Sequence, residues 1–178
     1  MQGLKKIVII GPESTGKSTL CTQLAAQYRT LCCPEYAREY LMKNGSRYTY
    51  DDLLTIAKGQ VKLEEQYTKQ AREMNQSLLF IDTDMYVMEV WCKFVFGKCH
   101  QYILDKIEAQ NIELYLLCNI DLPWVKDKLR EYPDLATRAK LYKIYKDILI
   151  NQDVPWVGVS GDYDERLKTS AKAVDNVL

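Results

Sequence analysis

Residues 11–19 read GPESTGKST, and this short stretch is the strongest indication of the fold in the sequence. It fits the pattern G-x-x-x-x-G-K-[ST] through Gly11, Gly16, Lys17 and Ser18. The glycines let the backbone curl so that successive N–H groups point inwards and bind phosphate oxygens. The pattern predicts a loop that binds a nucleoside triphosphate, with the lysine at the β- and γ-phosphates and the serine hydroxyl on Mg²⁺.

The residues on either side of this loop have the context that the pattern requires. The β-branched apolar run KKIVII at 5–10 predicts a strand buried on both faces. Residues 17–29 carry apolar side chains at helical spacing, and the start of that helix adds positive partial charge to the phosphate site. The loop residues expected to bind ATP are Gly11, Glu13, Ser14, Thr15, Gly16, Lys17, Ser18 and Thr19.

Strand-like and helix-like segments alternate along the whole chain. The strands are predicted at 5–10, 30–33, 77–82, 113–120 and 155–160, and the helices at 17–29, 35–43, about 50–75, 84–96, 100–110, 139–150 and 164–177. This alternation predicts an α/β P-loop fold, with a parallel five-stranded sheet covered by helices on both faces. The length of 178 residues suits one domain, so we expect a single domain over residues 1–178.

Composition limits the partners and the cellular setting. Lys plus Arg and Asp plus Glu number 24 each, so the net charge gives no reason to expect a nucleic acid or an anionic membrane as partner. No apolar stretch approaches the ~18 residues needed to span a bilayer, and no signal peptide is evident. The six cysteines form no CxxC pair, and we expect most of them to be small buried residues in a reducing, cytoplasmic setting. The oligomeric state stays open.

Acidic residues follow two of the predicted strands, where ligands bind in open α/β sheets. Asp82 ends the third strand and is expected to hold Mg²⁺ directly or through water. Asp84 lies two residues further on and is expected to face the substrate, although a helix N-cap is an alternative for it. Glu35 follows the second strand and is a candidate general base for a substrate hydroxyl. Arg38 is a candidate contact to substrate or phosphate, and the alternative for this pair is a solvated first helical turn.

A basic segment at about 121–138 is expected to form a lid of the kind found in small nucleoside and nucleotide kinases. Such enzymes close cations over the triphosphate and exclude water, which limits stray hydrolysis. Arg130 and Arg138 are the candidates for stabilising charge on the transferred phosphoryl group. An exposed charged helix is the alternative interpretation.

Other candidate residues are expected to contact the nucleotide base or the ring of the acceptor. Gly161 and Arg166 follow the last predicted strand and are expected beside the nucleotide base, with the arginine over its face; a plain loop and a surface arginine are the alternative. Tyr36 and Trp91 are candidate stacking residues for a flat acceptor ring, although ordinary packing is an alternative for each. The predicted catalytic residues are Lys17, Glu35, Asp82, Arg130 and Arg138.

Several blocks of the sequence, in order over nearly the whole chain, resemble the ribosylnicotinamide kinase domain of NadR-type NAD-salvage proteins. They are GPESTGKSTL (11–20), EYARE (35–39), FIDTD (80–84), CKFVFG (92–97), YLL (115–117) before DLPWVKDKLR (121–130), and GDYDER (161–166). The first block is shared by many families, whereas the second, third and fourth together are much more restricted.

The resemblance implies a nucleoside-kinase-like fold and a defined reaction. The reaction is transfer of phosphate from ATP, with Mg²⁺, to the 5′-hydroxyl of nicotinamide riboside, which gives nicotinamide mononucleotide. By position, the resemblance implies that Glu35 or Asp82 handles the hydroxyl proton or the metal, and that Asp84 and Arg38 face the riboside. Two alternatives stay open: a kinase for another nucleoside or a mononucleotide, and a regulatory P-loop ATPase that acts on a protein partner.

Overall fold

The computed structural model describes residues 3–178. Its strands are β1 (Lys5–Ile10), β2 (Leu31–Cys33), β3 (Leu78–Asp82), β4 (Leu114–Cys118) and β5 (Trp156–Val159). Its helices are α1 (Lys17–Tyr28), α2 (Tyr36–Asn44), α3 (Tyr50–Glu73), α4 (Met85–Phe96), α5 (Gln101–Ala109), α6 (Leu135–Ile150) and α7 (Tyr163–Asp175). The strands pair in parallel in the order β2-β3-β1-β4-β5, so the predicted parallel five-stranded sheet is confirmed.

The central strand β1 shows why helices cover both faces of the sheet. Side chains alternate along a strand, so Ile7 and Ile9 point to one face and Val8 to the other, and all are fully buried. On the first face they pack against α1 and α7, through residues such as Leu24. On the second face the core includes α6 residues such as Leu149. A third apolar cluster joins α2, α3, α4 and α5 beside the edge of the sheet.

Two helix starts show how far sequence signals reach. The start of α3 is a capping box, in which Thr49 and Asp52 each bond the other's backbone amide, and the Thr-x-x-Asp spacing at 49–52 is a sequence signal for it. The start of α6 was predicted about four residues too late. Asp134 caps this helix by accepting a hydrogen bond from the Thr137 amide (2.7 Å), so α6 begins at Leu135. Arg138 therefore lies on a helix, and the irregular part of the predicted lid is residues 121–134.

The structure also bears on the expectations about cysteines and membranes. Cys21 of α1 and Cys32 of β2 are joined by a disulfide, which the sequence analysis did not predict. The other cysteines are unbonded and mostly buried: Cys33, Cys92, Cys99 and Cys118. Within residues 3–178, no helix has both the length and the apolar composition that crossing a bilayer requires.

Candidate active site

The phosphate loop lies between the end of β1 and the start of α1, at the carboxyl edge of the sheet. Gly16 has φ 76°, in the left-handed region that glycine enters without steric cost. Gly11 has φ 143°, and a Cβ atom there would lie 2.7 Å from the carbonyl oxygen of Cys118 in β4. Geometry therefore requires both glycines, and the loop leads into the N-terminus of α1, where free amides and the helix dipole attract anions.

Lys17 and Ser18 place a cation and a hydroxyl at the mouth of this loop. Lys17 Nζ donates to the carbonyl oxygen of Pro12 (2.8 Å), and Ser18 Oγ donates to the carboxylate of Asp82 at the end of β3. Asp82 is 2% exposed, and its Oδ1 is buried without a hydrogen-bond partner in the described part of the chain. Burial raises the pKa of Asp82, whereas the charge of Lys17 and the bond from Ser18 lower it.

These groups fit a magnesium ion that is bound together with a nucleotide. Mg²⁺ takes oxygen ligands and is usually held by one or two carboxylates together with substrate phosphates and water. The Ser18 hydroxyl oxygen and the unpartnered Asp82 Oδ1 are oxygen ligands of the kind that Mg²⁺ takes. Residues 3–178 contain no group of three or more His, Cys, Asp or Glu side chains that could hold a metal ion without such help.

Glu35 lies between β2 and α2, at the edge of the same cavity as the phosphate loop. It occupies the N-cap position of α2, but its side chain makes no capping hydrogen bond. Burial, and after it the negative charge of Asp82, raises the pKa of Glu35 to about 7, while Lys17 opposes this rise. A carboxylate that is partly ionised near neutral pH is well suited to accept a proton from a substrate.

One cavity of about 570 Å³ joins the phosphate loop to a more apolar region. The loop and Glu35 line one end, and Arg38, Tyr48 and Trp91 line the other. Its volume lies within the range of small-molecule sites. Further apolar side chains complete the second end: Ala37, Leu41, Val87, Val90 and Phe94. We call this second end the acceptor end.

The lid segment 121–134 covers the phosphate loop. The Val125 amide donates to Ser14 Oγ (2.9 Å), and the Glu131 amide donates to Glu13 Oε2 (2.9 Å). These bonds run between main chain of the lid and side chains of the loop. The lid is therefore docked on the loop by residues of the loop itself.

Both candidate lid arginines reach the phosphate loop. Arg130 Nη1 lies 3.3 Å from Ser14 Oγ, and Arg138 Nη2 donates to the Ser14 carbonyl oxygen (3.2 Å). The two guanidinium groups lie 5.9 and 5.5 Å from the ring centroid of Trp124. Among the ion pairs of residues 3–178, none includes Arg130 or Arg138. Burial and the neighbouring charge of Arg130 lower the pKa of Arg138, while the negative charge of Glu13 opposes this shift, so two guanidinium groups lie close together beside the loop.

Two predicted substrate residues do not line the cavity. Asp84 is 2% exposed and accepts hydrogen bonds from the Tyr86 amide (3.0 Å) and the Tyr115 hydroxyl (2.9 Å), so its alternative role as a helix cap describes its position. Burial raises the pKa of Asp84 to about 7. Tyr36 packs on α3, where a Cβ atom at Gly59 would be 2.0 Å from its ring. Packing holds both side chains outside the cavity lining in this structure, and the expected contact of Asp84 and Tyr36 with the substrate stays a prediction.

Arg166 is buried, so the alternative of a surface arginine is wrong. It is 1% exposed and donates to the carbonyl oxygens of Thr15 (3.0 Å) and Gly161 (2.7 Å). It also forms a salt bridge with Asp121, the first residue of the lid segment. Neither Gly161 nor Arg166 lines the cavity. Arg166 is thus not a surface arginine, and it ties the phosphate loop to the loops after β4 and β5. Its expected contact with the nucleotide base stays a prediction.

The structure adds residues that sequence reasoning did not single out. Glu131 and Tyr132 line the cavity from the lid, and Leu122 and Tyr163 flank the loop beside Gly16. The lid has no regular structure, so no periodic pattern marks which of its side chains face inwards. The only sequence signal was the charged segment as a whole.

Comparisons with known proteins agree with this architecture. Residues 6–166 match the sequence model of the AAA_28 family, which is described as an AAA domain. The trifunctional NAD biosynthesis/regulator protein NadR of Escherichia coli strain K12 is 29% identical over 180 residues, which cover 98% of this chain and 43% of that protein. The chain therefore spans less than half the length of this curated relative.

Two solved structures are similar in fold. A NadR protein in complex with NR superposes with a TM-score of 0.82 at 23% identity, over 98% of this chain and 49% of the other. A thymidylate kinase from Ehrlichia chaffeensis gives a TM-score of 0.66 at 14% identity, over 98% of both chains. The predicted nucleoside-kinase-like P-loop fold is therefore confirmed. The family match extends from β1 into α7 and includes the whole phosphate loop and lid, so the chain belongs to the AAA_28 family of AAA domains.

Proposed function

We propose that this protein is an ATP-dependent kinase that phosphorylates the 5′-hydroxyl of nicotinamide riboside to give nicotinamide mononucleotide. The observation that carries the proposal is that one cavity is lined by the phosphate loop, by Glu35 and by the aromatic and apolar side chains of the acceptor end. The relation to NadR, a NAD biosynthesis/regulator protein, supports the choice of acceptor. The structural likeness to a NadR protein in complex with NR supports the fold in which this acceptor would bind.

The phosphate loop and the lid supply the electrostatic part of the proposed reaction. The inward-facing amides of the loop and Lys17 hold the β- and γ-phosphates, and bound Mg²⁺, held by Ser18 and Asp82, would neutralise part of their charge. Arg130 and Arg138 lie above the loop without ionic partners and are available to the transferred phosphoryl group. These groups favour the transition state because they are already oriented before the reaction begins.

Glu35 supplies the proton transfer. The 5′-oxygen of the riboside attacks the γ-phosphorus, the bond from that phosphorus to the β,γ-bridging oxygen breaks, and ADP leaves. The hydroxyl proton passes to the Glu35 carboxylate, whose raised pKa matches this task near neutral pH. The ring of the acceptor would lie among Trp91 and the apolar side chains beside it, with Arg38 near its polar edge.

An acceptor panel tests the proposal. Purified protein with ATP and Mg²⁺ is incubated with nicotinamide riboside, nicotinic acid riboside, adenosine, thymidine or thymidine monophosphate, and both ADP and the phosphorylated product are measured. We expect nicotinamide riboside to give the highest kcat/KM and a mononucleotide product. A preference for another nucleoside or for the mononucleotide would identify the second kinase alternative. ATP hydrolysis that no acceptor changes would contradict the kinase function and favour the regulatory ATPase.

Two lysine variants assign any activity to the cavity. Lys17→Ala should lose at least roughly a hundredfold in transfer, because the lysine charge is expected to act directly on the β- and γ-phosphates held by the loop. Lys126→Ala removes an exposed lid lysine that does not line the cavity and is the matched control. Equal loss in both variants would show that the measured transfer does not depend on the phosphate loop.

A further inference from the structure

Glu13 is the one acidic residue of the phosphate loop, at a place where a carboxylate would repel a bound phosphate. Its Oε2 instead accepts the main-chain amides of Glu131 (2.9 Å) and Tyr132 (3.2 Å). Burial raises the pKa of Glu13, and these two hydrogen bonds oppose the rise. The carboxylate is therefore engaged with the lid rather than available to the nucleotide.

The side chain of Glu131 connects the lid to the acceptor end. Its carboxylate accepts a hydrogen bond from the Tyr48 hydroxyl (2.7 Å), which accepts one in turn from Trp91 Nε1 (2.8 Å). The Tyr48 and Trp91 rings meet edge to face, with centroids 4.9 Å apart. Burial raises the pKa of Tyr48, so its hydroxyl remains a donor at any pH at which the protein would be studied.

These contacts form one hydrogen-bonded chain, Trp91–Tyr48–Glu131–Glu13, and all four residues line the same cavity. Trp91 and Tyr48 belong to the acceptor end, and Glu13 belongs to the phosphate loop. Glu131 is the lid residue in this hydrogen-bonded chain. Its carboxylate accepts a hydrogen bond from Tyr48 at the acceptor end, and its amide donates one to Glu13 in the phosphate loop. A shift of the Trp91–Tyr48 pair therefore acts directly on the main chain that covers the loop.

We propose that Glu131 is a positioning residue that makes closure of the lid over ATP depend on the acceptor. This inference rests on the proposed kinase function. An acceptor ring seated against Trp91 fixes Tyr48, and Tyr48 fixes the Glu131 carboxylate. The hydrogen bonds from the Glu131 and Tyr132 amides to Glu13, which this structure already shows, are then formed for a larger fraction of the time. Each substrate consequently favours binding of the other, because both stabilise the same closed lid. Without the acceptor, ATP lies in a site that closes less often, so the catalytic arrangement is incomplete and transfer to water is slow.

Binding measurements test the coupling between the two ends. The dissociation constant of an unreactive ATP analogue with Mg²⁺ is measured with and without saturating nicotinamide riboside. In the wild-type protein we expect the riboside to tighten binding by roughly five- to fiftyfold, the usual range of such couplings. Tyr48→Phe and Glu131→Ala should bring this ratio close to one. Glu131→Gln keeps an oxygen that accepts from Tyr48 and should retain most of the ratio.

The matched control for the tyrosine is Tyr102→Phe, which removes a hydroxyl on α5 outside the cavity and should leave the ratio unchanged. Full coupling in Tyr48→Phe would overturn the proposal. A wild-type protein that binds both ligands with a ratio of one would overturn it as well.

A second measurement needs no acceptor and separates this inference from the proposed function. Hydrogen exchange of the Glu131 and Tyr132 amides is followed in the ligand-free protein. Loss of their hydrogen-bond acceptor in Glu13→Ala should speed exchange by roughly tenfold or more, whereas Glu13→Gln keeps an accepting oxygen and should stay near the wild-type rate. Unchanged exchange in Glu13→Ala would overturn the link between loop and lid. Wild-type protein that fails to bind nicotinamide riboside would refute the proposed function and the acceptor dependence, while the exchange rates would still decide whether Glu13 holds the lid.

Discussion

At the scale of single residues, Glu35 combines partial burial, a negatively charged neighbour and a free carboxylate. We predict that Glu35→Gln lowers kcat by roughly a hundred- to ten-thousandfold and changes ATP affinity little, since the amide cannot accept a proton. In the wild-type protein, kcat/KM should rise with pH through about 7 as the carboxylate ionises. Initial rates between pH 5.5 and 8.5 measure both effects.

The control for this change is Glu39→Gln, which alters an exposed acid one helical turn away on α2 that does not line the cavity. It should keep the wild-type rate and the wild-type pH profile. A Glu35→Gln protein with full activity and the same pH dependence would transfer the role of base to another group.

Asp84 should affect stability rather than catalysis. An aspartate carboxyl in an unfolded chain titrates near 4, and burial raises the pKa of Asp84 to about 7 in the folded protein. Between these values the folded state binds the proton and the unfolded state does not, so the free energy of unfolding falls as pH rises from about 4 to about 7. Asp84→Asn cannot ionise and should lack this part of the fall, which is on the order of 4 kcal/mol.

Denaturant unfolding of wild-type protein and Asp84→Asn at pH 4.5 and pH 8 measures how steeply the free energy of unfolding of each falls with pH. The exposed Asp153→Asn is the control and should follow the wild-type slope. Parallel pH dependence of Asp84→Asn and wild-type protein would show that Asp84 is ionised in the folded state.

At the scale of elements, Arg166 of α7 joins three loops that come together at the carboxyl edge of the sheet. Arg166→Ala would leave the Thr15 and Gly161 carbonyl oxygens without this donor and Asp121 without its ionic partner. We expect a loss of about 3 kcal/mol in the free energy of unfolding, measured with denaturant. Lys168→Ala, on the exposed side of the same helix, should change it by less than about 0.5 kcal/mol. A raised KM for ATP with unchanged stability would instead restore Arg166 as a nucleotide contact.

The elements themselves were largely predictable, whereas their mutual contacts were not. Apolar runs identify the strands, three of which are followed by a breaker at Gly11, Pro34 or Gly161, and the Thr49–Asp52 pair identifies a helix start, because these signals are local in sequence. The Arg166 bonds to Thr15 and Asp121 join positions far apart in the chain, and no local pattern encodes them. The same holds for Asp84, whose burial depends on Tyr115 in another strand.

At the scale of the whole molecule, packed helices and strands carry one irregular segment, the lid at residues 121–134. Residues 121–134 contain no helix or strand, and Lys126 and Lys128 within them are exposed. We predict that trypsin cuts first after these lysines, and that the helices and strands resist further cleavage because they are packed in three buried apolar clusters. An unreactive ATP analogue with Mg²⁺ should slow the first cut. Electrophoresis and mass spectrometry of the fragments locate it, and a first cut within α3 would contradict this view of the fold.

Trp124 of the lid has a practical consequence. Its ring centroid lies 5.9 Å from the guanidinium group of Arg130 in the lid and 5.5 Å from that of Arg138 on α6, so movement of the lid changes the charge around the indole. Indole emission responds to nearby charge and to water, so the intrinsic fluorescence of the protein carries an optical signal of that movement. Replacing Trp156 of β5 with phenylalanine would remove a background emitter remote from the cavity. Stopped-flow mixing would then time the movement in an otherwise unlabelled protein.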